Sequence, residues 1–166
     1  MSRQGIPDYL VTMRKPGVNA EPVTHTDEDM PVSLWQRYAS PIWVTTGAPG
    51  SEGFLECSAK QIDGDPSSGI DPCDTVQHWR EGRENEDERH ICPLQLDVIR
   101  RAVRLWTNTG DVVLSPFAGI GSEGVVSLQE GRRFVVAELK GSYYKQAARN
   151  LAEAGIVRQT SLFGAA

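Results

Sequence analysis

The sequence predicts an α/β fold, with a mostly parallel sheet flanked by helices, on three observations. After Arg89, short apolar strands alternate with amphipathic helices in the order α-β-α-β-α. The first strand runs into a glycine turn, Pro116-Phe-Ala-Gly-Ile-Gly-Ser122, from which a helix departs. The second strand ends on a carboxylate, Glu138, nineteen positions after Gly119. Alternating strands and helices pack as a parallel sheet covered by helices, and ligands then sit at the carboxyl ends of the strands. Gly119 and Glu138 both fall at such ends.

Taken in chain order, Asp8 to Met13 is rich in strand formers and is closed by Arg14-Lys15 and the turn dipeptide Pro16-Gly17, which predicts one strand ending in a loop. From there to Arg89, prolines and glycines punctuate a stretch without sustained period, so most of it reads as loop. Two pieces stand out, Val32 to Tyr38 as a helical turn or two and Ser40 to Thr45 as a short strand. Residues 1–45 thus form a strand and loop region, 46–72 a variable loop insertion at the surface, and 73–166 the regular portion.

In the regular portion, Leu94, Val98, Arg101, Ala102, Leu105 and Trp106 recur at helical spacing, with Pro93 suited to the start and Asn108-Thr-Gly110 to the end. Asp111 to Leu114 predicts a strand, Glu123 to Glu130 a helix, and Gly131 its left-handed terminator. Arg133 to Ala137 is the second strand; Ser142 caps a last helix through Ala154, before Gly155.

Composition narrows the class. A chain of 166 residues, 39% hydrophobic and 23% charged, can form one domain with a real core. Its longest apolar stretches fall far short of a bilayer span and its N-terminus lacks the core of a secretory signal, so the expected location is the cytoplasm, with no membrane partner. Three widely spaced cysteines, Cys57, Cys73 and Cys92, give neither a disulfide framework nor a metal knuckle. His25, His78 and His90 have no partners at ligand spacing, so no metal site is expected.

The net charge of -5 conceals an asymmetry. Residues 1–90 hold 8 Lys+Arg against 16 Asp+Glu, whereas residues 91–166 hold 9 against 6. Arg100, Arg101, Arg104, Arg132, Arg133, Lys140, Lys145 and Arg149 are therefore available to a polyanion, although any one of them is more commonly a solvated surface charge.

Gly119, Gly121 and Gly124 match G-x-G-x-x-G, so a nicotinamide or flavin dinucleotide site has to be weighed. Glu123 opposes it, because a carboxylate at the helix start occupies the place where a pyrophosphate would sit. Only 28 residues follow Glu138, so a second mononucleotide-binding half is not expected either. A nucleoside cofactor without phosphate tolerates the acid and needs only the turn glycines and a carboxylate for its ribose diol. S-adenosyl-L-methionine is such a cofactor.

Ser115-Pro-Phe-Ala-Gly-Ile-Gly-Ser122 resembles the D-P-F-x-G-x-G-[ST] motif of the amino-methylating DNA methyltransferases, which act on adenine N6 or cytosine N4. The flanks agree. His90-Ile-Cys-Pro-Leu-Gln95 is similar to the His-Pro-x-Gln-Lys-Pro segment that opens the preceding helix in the permuted arrangement of that family. Gly131 to Leu139 is similar to G-R-x-F-x-G-x-E-x, and Tyr143-Tyr144 with Ala147, Arg149 and Leu151 resembles the terminal Y-x-x-x-A-x-x-R-[IL] helix. Pro7 to Lys15 is similar to the H-E-Y-[IL]-L-x-F-x-K strand. Asp87 to Gln95 resembles the D-E-R-H-I-C-P-L-Q of phage and prophage DNA methylases.

The resemblance implies a partial Rossmann-like methyltransferase fold that binds S-adenosyl-L-methionine and, as its partner, double-stranded DNA with a flipped-out base, in a bacterial or phage-infected cell. It implies that Ser115, Pro116, Phe117, Ala118, Gly119, Gly121 and Ser122 wrap the cofactor. Glu138 would accept from both ribose hydroxyls, Leu139 would flank the adenine ring, and His90, Ile91 and Cys92 would line the methionine end.

Two departures qualify this. The family transfers methyl through a [DNS]-P-P-[YFW] tetrapeptide, and the sequence contains none; Asp71-Pro-Cys-Asp74 lacks the second proline and the aromatic residue. In permuted order the motif is expected upstream of Met1, so the chain reads as the C-terminal part of a methylase, by split gene, internal start or truncation, with no catalytic residue of its own and a separate chain carrying the motif as a candidate partner. Ser115 also replaces the usual Asp, keeping one hydrogen-bond acceptor without its charge. A small dinucleotide-binding oxidoreductase module, and a non-catalytic remnant binding DNA or a protein, are the alternatives.

Overall fold

This computed structural model describes residues 9–43, 69–71, 74–77, 79–82 and 93–163, the backbone alone for 79–80 and 156–163. The elements are helix α1 (Val32–Tyr38), a 3₁₀ turn at Trp79–Gly82, helix α2 (Leu96–Trp106), strand β1 (Val112–Ser115), helix α3 (Ser122–Gln129), strand β2 (Arg133–Val136) and helix α4 (Gly141–Phe163).

β1 and β2 pair in parallel, with Val112 opposite Arg133 and Ser115 opposite Val136. Two further bonds carry the ladder past the strand ends, from Ala137 N–H to the Ser115 carbonyl (3.0 Å) and from Ala118 N–H to the Ala137 carbonyl (3.1 Å). The α/β expectation therefore holds, with a small parallel sheet crossed over by α3.

One face of this ribbon is covered. Phe134 and Val136 are partly buried and Ser115 is 9% exposed, whereas Val112, Leu114 and Val135 are 48%, 65% and 51% exposed on the opposite face. The core lies among α2, α3 and α4, built from Leu96, Ile99 and Val103, from Val125 and Val126, and from Ala154, with Val76 and Ile120 added from loops. Val126 is wholly buried.

Gly124 explains how α3 comes so close to its neighbours. A Cβ there would lie 2.4 Å from Leu151 Cδ2 and 2.5 Å from Phe134 Cε1, so β2 and α4 both press on bare backbone. This is the packing role of the third glycine in a strand-turn-helix unit.

Several boundaries differ from expectation. Residues 9–13 form no strand; Tyr9, Val11 and Met13 are 87%, 73% and 88% exposed, and no described strand lies beside them to pair with. β-Propensity by itself does not hold an unpaired segment. The turn at Pro16-Gly17 is present, closed by Arg14 Nη2 donating to the Gly17 carbonyl at 2.8 Å. Residues 40–43 are also not a strand, since Trp43 Nε1 donates to the Tyr38 carbonyl (3.1 Å) and folds that segment back on α1; Val44 and Thr45 lie outside the described residues. Most of 46–72 lies outside them too, but Ile70 is 3% exposed, so the end of that stretch belongs to the fold.

α2 begins at Leu96, three residues after Pro93, where Leu96 N–H donates to the Asp74 carbonyl (2.8 Å). Its buried face is Leu96, Ile99, Arg101 and Val103, while Leu94 and Trp106 remain 46% and 45% exposed. The inward stripe is thus rotated from the expected one. α4 continues through Gly155 to Phe163, and Ser142 lies inside it with a buried hydroxyl that has no partner. Gly131 terminates α3 as expected, with φ of 82°.

The arginines offered to a polyanion are largely consumed within the fold. Arg100 pairs with Glu130 (3.2 Å) and Asp97 (3.6 Å), and Arg104 with Glu130 (3.6 Å). Arg101, 3% exposed, pairs with Asp97 (2.9 Å) and lies 5.3 Å from the ring centroids of both Tyr38 and Trp43. Arg132 donates to the Thr107 hydroxyl (2.9 Å) and carbonyl (2.7 Å), and Arg133 to the Gly110 carbonyl (3.0 Å). Arg149 lies 3.7 Å from Glu81. These cations tie α2 and the loops together.

Candidate functional site

The site is the turn between β1 and α3 together with the end of β2. Ser115 closes β1 with its side chain inward. Gly119 and Gly121 have φ of 54° and 86°, a left-handed region that glycine enters at little cost. Gly121 N–H donates back to the Ala118 carbonyl (2.8 Å), and the Gly121 carbonyl accepts from Val125 N–H (3.0 Å), so the turn passes directly into α3.

Glu138 joins the two strand ends. Its Oε2 accepts from Gly119 N–H and its Oε1 from Lys140 N–H, each at 2.8 Å. The carboxylate is therefore held rigidly, and because each oxygen has two lone pairs, both keep capacity for a further donor. Two hydroxyls on adjacent ribose carbons supply such a pair of donors.

Around this carboxylate the surface is apolar and open. Phe117 is 85% exposed on the β1 side and Leu139 is fully exposed on the β2 side. Pro116 is also exposed, whereas Ala118 and Ser122 are buried at 4% and 6% and shape the turn from behind. The structure thus brings Ser115, Pro116, Phe117, Ala118, Gly119, Gly121, Ser122, Glu138 and Leu139 to one end of the ribbon. His90, Ile91 and Cys92 lie outside the described residues.

Glu123 sits in the first turn of α3, where burial pushes its carboxyl above the usual carboxylate range.

α4 supplies contacts that the sequence reading missed. The Ala147 Cβ lies 3.1 Å from where a Gly121 Cβ would be, and Asn150 Nδ2 donates to the Ile120 carbonyl at 2.8 Å. Gln146 Nε2 donates to Asn150 Oδ1 at 3.0 Å. Buried amides four residues apart on a helix were the available signal, visible once that face is known to be covered.

A strand-glycine turn-helix unit whose turn is clamped by a carboxylate after the next strand defines an α/β protein with its candidate site at the carboxyl ends of the strands. The chain belongs to the DNA methylase family of the N6/N4 class, whose family model matches residues 8–149. It is 38% identical over 111 residues to type II methyltransferase M.BglII of Bacillus subtilis, covering 66% of this chain and 30% of that one. It is 34% identical over 67 residues to the DNA adenine methyltransferase YhdJ of Escherichia coli K12, covering 40% of this chain and 23% of that one. Among solved structures, TTHA0409 of Thermus thermophilus, complexed with S-adenosyl-L-methionine, is 31% identical and overlaps 48% of this chain and 38% of that one, with a TM-score of 0.37. The matched stretch is thus well under half the length of these relatives.

Among the described residues, no helix is long and apolar enough to cross a membrane, and no group of three or more His, Cys, Asp or Glu is placed to hold a metal ion.

Proposed function

We propose that this chain is the cofactor-binding portion of a DNA amino-methyltransferase acting on adenine N6, and that it holds S-adenosyl-L-methionine at the carboxyl ends of β1 and β2. The observation that carries this reading is the Glu138 carboxylate, fixed by Gly119 and Lys140 with one lone pair on each oxygen still to offer. Glu138 grips the ribose diol, Phe117 and Leu139 cover the apolar flanks of the nucleoside, and the turn from Pro116 to Ser122 passes around it. His90, Ile91 and Cys92 line its methionine end. The cofactor, once bound, supplies an electrophilic methyl on a sulfonium. No [DNS]-P-P-[YFW] tetrapeptide lies in these 166 residues to accept the hydrogens of a base amine, so that step falls to residues outside this sequence.

The test is calorimetric titration of the purified chain with S-adenosyl-L-methionine, alongside Glu138→Ala and with NAD as competitor. Saturable binding that the Ala variant loses and NAD does not displace is the expected result. Preference for NAD would overturn the reading in favour of a dinucleotide module. Absence of binding to either ligand would leave a remnant that meets DNA or a protein without cofactor.

A further inference from the structure

We infer that Asn150, oriented by Gln146, is a positioning residue that fixes the glycine turn in its nucleoside-accepting shape. This rests on the cofactor reading above; Gln146 and Asn150 lie within the stretch of α4 from Tyr143 to Leu151, but neither is among the residues that carry its resemblance.

The Ile120 carbonyl and the Gly121 N–H belong to one peptide plane. The carbonyl end accepts from Asn150 Nδ2 at 2.8 Å, and the N–H end donates to the Ala118 carbonyl at 2.8 Å. A planar unit held at both ends cannot rotate without breaking both bonds. It lies between the Cα atoms of Ile120 and Gly121, and Gly121, with φ of 86° and no side chain, would otherwise let it rotate easily. Freedom that glycine gives the turn is thus removed from behind, by α4.

Asn150 has one orientation available. Its Oδ1 is taken by Gln146 Nε2 at 3.0 Å, which directs the amide nitrogen at Ile120. Asn150 is 7% and Gln146 4% exposed, so water does not substitute for either partner. A buried hydrogen bond of this kind costs more to leave unmade than it contributes when formed. Glu138 fixes the same turn through Gly119, so the Gly119–Gly121 segment is held both by α4 and by the acid after β2. A turn already in its binding shape spares the ligand the cost of ordering it.

Asn150→Asp keeps the shape but replaces the donor with an oxygen facing the Ile120 carbonyl, and Asn150→Leu removes both polar groups. Ala148→Gly, at an exposed position of the same helix, weakens α4 through its helix propensity without touching the turn. Two readouts are compared on the full chain, the Kd for S-adenosyl-L-methionine by calorimetry and amide hydrogen exchange over residues 118–125. Both Asn150 variants are expected to weaken binding about tenfold and to speed exchange at Gly121. Ala148→Gly, matched to them in thermal midpoint, is expected to do neither. Unchanged Kd and exchange in Asn150→Asp, or an equal loss in Ala148→Gly, would overturn the inference. If the unaltered chain binds no cofactor, the cofactor reading fails, and exchange at Gly121 still decides whether Asn150 holds the turn.

Discussion

Gly119 donates its backbone N–H to Oε2 of Glu138 across 2.8 Å, so the turn after β1 and the acid after β2 move as one unit. A substitution at Glu138 therefore changes the turn as well as the ligand contact. Glu138→Gln keeps the size but turns one acceptor into a donor that faces an N–H of Gly119 or Lys140. Affinity for S-adenosyl-L-methionine should fall more than tenfold, read by calorimetry, and the thermal midpoint should fall by about 3 °C. Unaltered affinity would remove Glu138 from the site.

Gly124→Ala tests the closeness of α3 to its neighbours. The added methyl meets Leu151 Cδ2 and, at 2.6 Å, Phe134 Cδ1, so both side chains must shift to admit it. Overpacking of this kind costs about 1–3 kcal/mol, measurable as a lower denaturation midpoint in urea at constant slope.

Gly121→Ala and Gly110→Ala separate backbone strain from contact. Both glycines have nearly the same φ, 86° and 87°, but a Cβ at Gly121 would lie 3.1 Å from Ala147 Cβ, while nothing lies within 4 Å of one at Gly110. Gly110→Ala should cost about 1–2 kcal/mol, the strain of the left-handed region alone. Gly121→Ala should cost more, and the difference measures the approach of α4. Equal costs would show that Ala147 yields freely.

Glu123 predicts a dependence on pH. Burial raises its folded-state pKa, so the native state binds its proton more tightly than the unfolded chain does. Stability from this group is greatest below the unfolded pKa and declines as pH rises through the folded pKa. Glu123→Gln should therefore raise the thermal midpoint at neutral pH, with the gain shrinking as pH falls through the carboxylate range. A gain independent of pH would assign the effect to something other than ionisation.

The cradle was legible in the sequence because its chemistry is local. Gly119 and Gly121 announce a left-handed turn, the apolar runs on either side announce strands, and Glu138 follows at a spacing that one crossover sets. What was not legible depends on partners distant in the chain. The segment at residues 9–13 has strand-forming residues but no described strand beside it, and propensity carries no information about pairing. Arg101 reads as a surface charge until Tyr38, Trp43 and Asp97 are seen around it. Gly155 reads as a helix stop, yet α4 passes through it. Asn150 is not one of the residues that carry its helix's resemblance, and it meets Ile120 only because α4 packs behind the turn.

The hydrogen bonds that hold the glycine turn lie between Ser115 and Asn150, from the Ser115–Ala137 bond through Gly119 and Glu138 to Ile120 and Asn150. A break in the polypeptide anywhere outside that stretch cuts none of them. The bonding of the cradle is in this sense local to one stretch of chain, whereas its support from Val76, Ile99 and Val103 is drawn from farther upstream.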